Sequence, residues 1–99
     1  MTPDIHIAEH ADDILSDEVV TNEAHQLLVE VDADNKDVYL NFSSRLAMYD
    51  FARSLLHEAI YSKGGQMEFY PLEFQGKMEI VNGVRMPLNS ARLFIFYQE

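Results

Sequence analysis

The chain has 99 residues, enough for one domain and too few for two, and its 47% hydrophobic and 24% charged composition is that of a folding globular protein. Seventeen acids against seven lysines and arginines give a formal charge of −10, which repels phosphate backbones and anionic lipid surfaces, so neither nucleic acid nor membrane is an expected partner. Cysteine is absent, which excludes disulfides and thiolate zinc sites and leaves apolar burial to hold the fold together.

No run of about 18 apolar residues is present, and Met1-Thr2-Pro3-Asp4 lacks the basic and apolar regions of a secretory signal, so a cytoplasmic protein is expected. The charge is uneven along the chain. Residues 1–50 hold 12 acids against Lys36 and Arg45, a net of −10, whereas residues 51–99 hold five acids and five bases, a net of zero. Residues 1–24 form an acidic, weakly patterned segment. Ile5 and Ile7 suggest an edge strand there, and Ile14, Val19 and Val20 lie among acids with no clean period, which predicts an irregular or briefly helical stretch.

From residue 25 to 99 the pattern reads as a ββαβββ core. Leu27, Val29 and Val31 alternate with Leu28, Glu30 and Asp32, and Val38, Leu40 and Phe42 alternate with Tyr39 and Asn41. Two period-2 runs joined by turn-forming residues predict a β-hairpin with one buried face. Ser43-Ser44 is a candidate N-cap for a helix running to about Tyr61 or Ser62. At 100° per residue, Met48, Phe51, Ala52, Leu55, Leu56 and Ala59 share a face expected to pack on the sheet, with Asp50, Arg53, Ser54 and His57 opposite.

Gly64-Gly65 is expected to supply a left-handed C-cap. Met67-Glu68-Phe69-Tyr70 reads as a strand ended by Pro71. Residues 78–81 read as another, turned by Asn82-Gly83 into Val84-Arg85-Met86 ahead of Pro87. The run Ala91-Arg92-Leu93-Phe94-Ile95-Phe96-Tyr97 is apolar on both alternating faces, which predicts a central strand or one with a covered outer face. The expected fold is α+β: a largely antiparallel sheet of five or six strands with one long helix on one face.

Several short motifs resemble chemical sites. His6-Ile7-Ala8-Glu9-His10 matches the inverted zinc-protease pattern formally, but on a strand the two histidines would stand about 13 Å apart, too far to share a metal. Asp32-Ala33-Asp34-Asn35-Lys36-Asp37 opens like a calcium loop, yet Lys36 takes a ligand position, Asp37 replaces the glycine and Ser43 replaces the closing glutamate. A hairpin turn explains these residues. Paired acids such as Asp12-Asp13 and Asp17-Glu18 have no apolar pocket beside them to raise a pKa. His57 is the most tempting general base, but an exposed histidine near a helix C-terminus, where the helix dipole favours a cation, is the reading preferred for it. No metal, cofactor or catalytic residue is assigned, and the chain is expected not to be an enzyme.

Function is therefore expected at the surface. If Leu93, Ile95 and Tyr97 face the helix, Phe94 and Phe96 face away, either exposed as an interface or covered by the N-terminal segment. Acids that steer and aromatics that anchor suit a module binding another, basic protein. The candidate contact set is Asp12, Asp13, Asp17, Glu18, Glu23, Phe94 and Phe96. An accessory domain that self-associates as a homodimer through Phe94, Phe96 or a strand edge is the alternative.

Across residues 27–97 the layout, a strand pair, then the helix reading Phe51-Ala52-Arg53-Ser54-Leu55-Leu56, then strands closing on Leu93-Phe94-Ile95-Phe96-Tyr97, resembles the small acidic immunity proteins of bacterial polymorphic toxin systems. The likeness is one of layout rather than of a diagnostic motif. It implies a cytoplasmic antidote that binds and blocks a cognate toxin domain, often a cationic nuclease, by setting acids against its active site.

Overall fold

In a computed structural model of the protein, residues 17–98 are described. A short helix α1 (Asp17–Thr21) leads into the antiparallel pair β1 (Leu27–Val31) and β2 (Val38–Phe42), in register from Leu27↔Phe42 to Val31↔Val38. Their connection is closed by its own side chains. Asp32 Oδ1 accepts from the amides of Asp34 (2.9 Å) and Asn35 (3.3 Å), Asn35 Oδ1 accepts from that of Asp37 (2.9 Å), and Lys36 takes a left-handed φ of 66°.

The long helix α2 (Arg45–Tyr61) begins where the serine pair predicts. Ser44 is extended (φ −156°, ψ 162°) and its hydroxyl accepts from the Ala47 amide at 3.0 Å. The other end differs from expectation. Ser62 leaves the helix in an extended conformation with its N–H on the Glu58 carbonyl, and no glycine caps it. Gly65 has a positive φ of 77° for another purpose: its carbonyl accepts from the Tyr97 amide at 3.0 Å, tying the helix exit to the end of the chain.

The helix is also rotated from its expected setting by about 100°, one residue's step. It buries Ala47, Asp50, Phe51 and Ser54, while Met48 (51% exposed) and Leu56 (40%) face out, together with Ala52 and Ala59. Gly83 supplies the reason. A Cβ built there would lie 2.3 Å from Ser54 Oγ and 2.8 Å from the Asp50 carbonyl oxygen. So close a backbone approach admits only small side chains, and this selects the Ala47–Ser54 side over the more apolar one. Phe51 and Leu55 still reach the core: Phe51 stacks on Phe42 (5.3 Å between centroids) and Phe69 (4.8 Å), and Leu55 packs against the buried cluster.

The remaining strands are short. β3 (Gln66–Phe69) pairs with β8 (Leu93–Phe96), β4 (Glu73–Phe74) with β5 (Lys77–Met78), and β6 (Ile80–Asn82) with β7 (Val84–Arg85), all antiparallel. Gln75 and Gly76 (φ 52° and 79°) turn the β4–β5 hairpin, which the sequence pattern does not predict, and Gly83 (φ 68°) turns the expected one. Among the described residues the expected five- or six-stranded sheet is replaced by four two-stranded ribbons, and β8 pairs with β3 alone rather than standing as a central strand. Pro71 and Pro87, which lack an amide proton, follow β3 and β7, and the β6–β7 pairing is irregular between Ile80 and Asn82.

Individual contacts stitch the ribbons together. Gln26 bridges to Arg85 in parallel, Asn82 Nδ2 donates to the Glu68 carbonyl (2.6 Å), the Ala91 amide donates to the Val29 carbonyl (2.8 Å), and the Val29 amide donates to Ser90 Oγ (2.8 Å). Inside them one cluster forms the core: Leu27, Val29, Ala47, Phe51, Met67, Phe69, Val84 and Met86.

The observed helix face makes a sharp prediction in urea denaturation. Phe51→Ala should cost about 3 to 5 kcal/mol as a core cavity, whereas Met48→Ala and Leu56→Ala should each cost under about 0.5 kcal/mol. Gly83→Ala should also destabilise, by about 2 kcal/mol or more, through its clash and its positive φ. Losses of about 2 kcal/mol or more from Met48→Ala and Leu56→Ala would restore the face expected from periodicity.

Candidate partner-binding surface

The acidic stretch joins the fold through α1, and α1 is held by a buried arginine. Arg85 sends Nη1 to the Val19 carbonyl, Nη2 to the Val20 carbonyl (2.7 Å) and Nε to the Met78 carbonyl (3.0 Å), while the Val19 side chain is fully buried. The last carbonyls of a helix have no partner within it, so the guanidinium satisfies two of them from across the chain. Sequence reasoning missed this role: Arg85 read as an ordinary strand residue, and nothing in the sequence marks acceptors that are backbone atoms 65 and 66 residues away.

A second tie joins α1 to the start of α2. His25 Nδ1 lies 2.6 Å from Ser44 Oγ, and His25 Nε2 lies 3.2 Å from Glu18 Oε1. Serine, histidine and glutamate thus stand in series, with the serine hydroxyl already engaged by the Ala47 amide as the helix cap. Glu18 also accepts from Asn22 Nδ2 at 2.8 Å. That bond first, and the His25 contact second, hold the Glu18 carboxyl below its ordinary value of 4.5.

The expected contact residues divide as follows. Asp12 and Asp13 lie outside the described residues, as do His6 and His10 of the zinc-protease pattern. Asp17 opens α1. Glu18 is exposed but engaged by Asn22 and His25, and Glu23 is exposed with its carbonyl accepting from Gln26 Nε2 at 2.8 Å. His57, expected on the open helix face, is half-buried with its ring 5.1 Å from that of Tyr61.

Phe94 and Phe96 lie far along the chain from these acids. Leu93 and Ile95 turn inward onto the core, and Tyr97 hydrogen-bonds Glu58 on α2, so the alternate residues project outward, Phe94 43% exposed and Phe96 70%. Arg92 holds its guanidinium 5.1 Å from the Phe94 ring centroid and 5.2 Å from that of Tyr70. Beside them lies an open hollow of about 480 Å³ lined by Tyr70, Pro71, Leu88, Ser90 and Arg92, with Leu88 itself 62% exposed. The outward face of β8 therefore sets Phe94 and Phe96 beside Arg92, with Glu68 opposite Phe94 and Gln66 opposite Phe96 on β3. The acids and the aromatics expected to act together are carried by different elements.

Among the described residues there is no group of three or more histidines and carboxylates placed to hold a metal ion. No helix among them is long and apolar enough to cross a membrane.

Two measurements check the ties on α1. Because the folded Glu18 carboxyl titrates below its unfolded value, its contribution to stability is complete above that unfolded value and is lost as pH falls through the lowered one. Thermal melts of Glu18→Gln and the parent chain should therefore differ at pH 7 and converge as the pH is taken well below 4.5. Arg85→Met should destabilise by about 3 kcal/mol, since it strips several carbonyls of a charged donor.

Compared with known protein families, with curated proteins and with solved structures, the chain matches none.

Proposed function

We propose that this chain is a small, non-enzymatic, acidic protein-binding module whose partner is a basic protein, acting in the cytoplasm in the manner of an immunity protein that neutralises a toxin domain. The observation that carries this reading is the outward pair Phe94 and Phe96 on β8, a strand whose other side closes the core. A partner that covers two phenylalanines and the neighbouring Tyr70, Leu88 and Arg92 gains apolar burial on a rigid platform. The charge of −10 supplies the steering: a basic surface approaches faster at low salt, and the acidic first half sets the sign of that attraction.

The test is capture on the immobilised chain at low salt, with rising salt for elution, mass spectrometry of what is released, and co-expression of the released protein with and without the chain. One basic protein should be recovered, its release should follow salt, and Phe94→Ser with Phe96→Ser should weaken it at least tenfold while leaving the melting temperature within a few degrees. Rescue of growth on co-expression establishes the antidote role. Recovery of the chain alone, with a salt-resistant dimer in size exclusion, replaces this reading with self-association through β8.

A further inference from the structure

The β1–β2 hairpin runs past the core. Leu27 and Val29 are buried, but the next residue on that face, Val31, is 59% exposed; opposite it on β2 stands Val38 (55%), and Leu40 (39%) follows on the same face, opposite Val29. These three side chains make an apolar ledge, with no described residue burying it. The same strand has a free edge, since β2 pairs only with β1 among the described residues. The bonds from the Asp32 amide to the Asp37 carbonyl and from the Ser43 amide to the Gln26 carbonyl fix which residues point where. In an antiparallel pair the hydrogen-bonded positions alternate, so Asp37, Tyr39, Asn41 and Ser43 turn their backbone groups toward β1. Val38 and Leu40 turn theirs outward. An added strand would therefore find unpaired N–H and C=O groups at the two residues that carry the ledge.

Charge selects what that strand is. The segment from residue 30 to 40 carries Glu30, Asp32, Asp34 and Asp37 against Lys36 alone, a net of −3. Glu30, Asp32 and Tyr39 alternate to the face opposite the ledge and, with Val31 and Ala33, line an open hollow of about 400 Å³. A lysine or arginine side chain satisfies both the carboxylates and the ring. Glu30 gives one oxygen to Asn41 Nδ2 and Asp32 gives Oδ1 to the amides of Asp34 and Asn35, which leaves each carboxylate its second oxygen to offer. A second copy of the chain is disfavoured, because it would bring four more carboxylates to the same place. The chain's own residues 1–16 carry Asp4, Glu9, Asp12 and Asp13 and meet the same repulsion.

We infer that the free edge of β2 takes up an extended basic segment of a partner protein by strand addition, with apolar residues of that segment on the Val31–Val38–Leu40 ledge and alternating lysines or arginines on the Glu30–Asp32–Tyr39 side. Period-2 side-chain alternation is what lets one segment meet both faces. The inference rests on the proposed binding of a basic protein and adds a second contact, separate from β8.

Hydrogen exchange read by NMR tests it with defined probes. These are acetyl-Lys-Val-Lys-Val-Lys-Val-Lys-amide, its block isomer with the four lysines first and the three valines after, and the glutamate counterpart of the alternating peptide. The alternating peptide should slow exchange at the Val38 and Leu40 amides at least tenfold, lose that effect in high salt, and outdo the block isomer, while the glutamate peptide does nothing. Val38→Pro, which removes an outward N–H and no ladder bond, and Leu40→Lys, which adds a like charge on the ledge, should each abolish the protection with the fold intact. Equal effects from the alternating and block peptides, or no protection at Val38 and Leu40, overturn the inference. Shifts confined to residues 92–96 overturn it while leaving the β8 reading in place. Protection at β2 together with loss of the natural partner's dependence on Phe94 and Phe96 would keep the edge and overturn the β8 reading instead.

Discussion

The contact between Gly83 and α2 sets the arrangement of everything around it. The β6–β7 turn is pressed so closely onto the helix that a single methyl group at Gly83 would overlap Ser54 and the Asp50 carbonyl. That contact fixes the rotation of α2 about its axis, which decides that Phe51 stacks between Phe42 and Phe69 and that Met48 and Leu56 stay outside. The residues following Gly83 are buried in succession: Val84, Arg85 and Met86. Val84 and Met86 fill the core, and Arg85 reaches from it to the carbonyls of α1. One tight turn thus places the helix, the core and the root of the acidic segment.

Much of this was legible in the sequence where the signal was local. The hairpin alternation at 27–42, the serine cap of α2 and the Asn82-Gly83 turn all depend on neighbouring residues, and all stand where the pattern puts them. The helix face was not legible. Periodicity weighs apolar side chains, whereas Gly83 selects for small ones, and the identity of the helix's neighbour cannot be read from the helix itself. The β4–β5 hairpin escaped because its strands are two residues each and its turn, Gln75-Gly76, lacks the asparagine or aspartate that usually announces a left-handed pair. The continuous sheet failed for the opposite reason: its signs, the prolines, were visible, but only the three-dimensional path shows that the ribbons meet by single contacts.

The candidate surface shows the same division. Alternation along β8 separates Leu93 and Ile95 from Phe94 and Phe96, and the side-chain directions follow that separation. Charge counting located the acids in the first half of the chain, and among the described residues the hairpin end from 30 to 37 carries four of them. It did not reveal that this end overshoots the core and carries exposed valines, because overshoot depends on where the helix and the last strand stop. Burial, not residue type, distinguishes Val29 from Val31.

The bond between the Val29 amide and Ser90 spans 61 residues, and it sets an order of events in folding. The β1–β2 hairpin and α2 can form from near neighbours on the microsecond scale. The inner edge of β1 at Val29 stays open until Ser90 and Ala91 arrive, a closure whose entropic cost grows with the loop and slows the search. During that interval the hairpin has two bare edges. Completion of the fold covers one of them and leaves the other, on β2, as the side on which the nascent hairpin and the finished protein look alike.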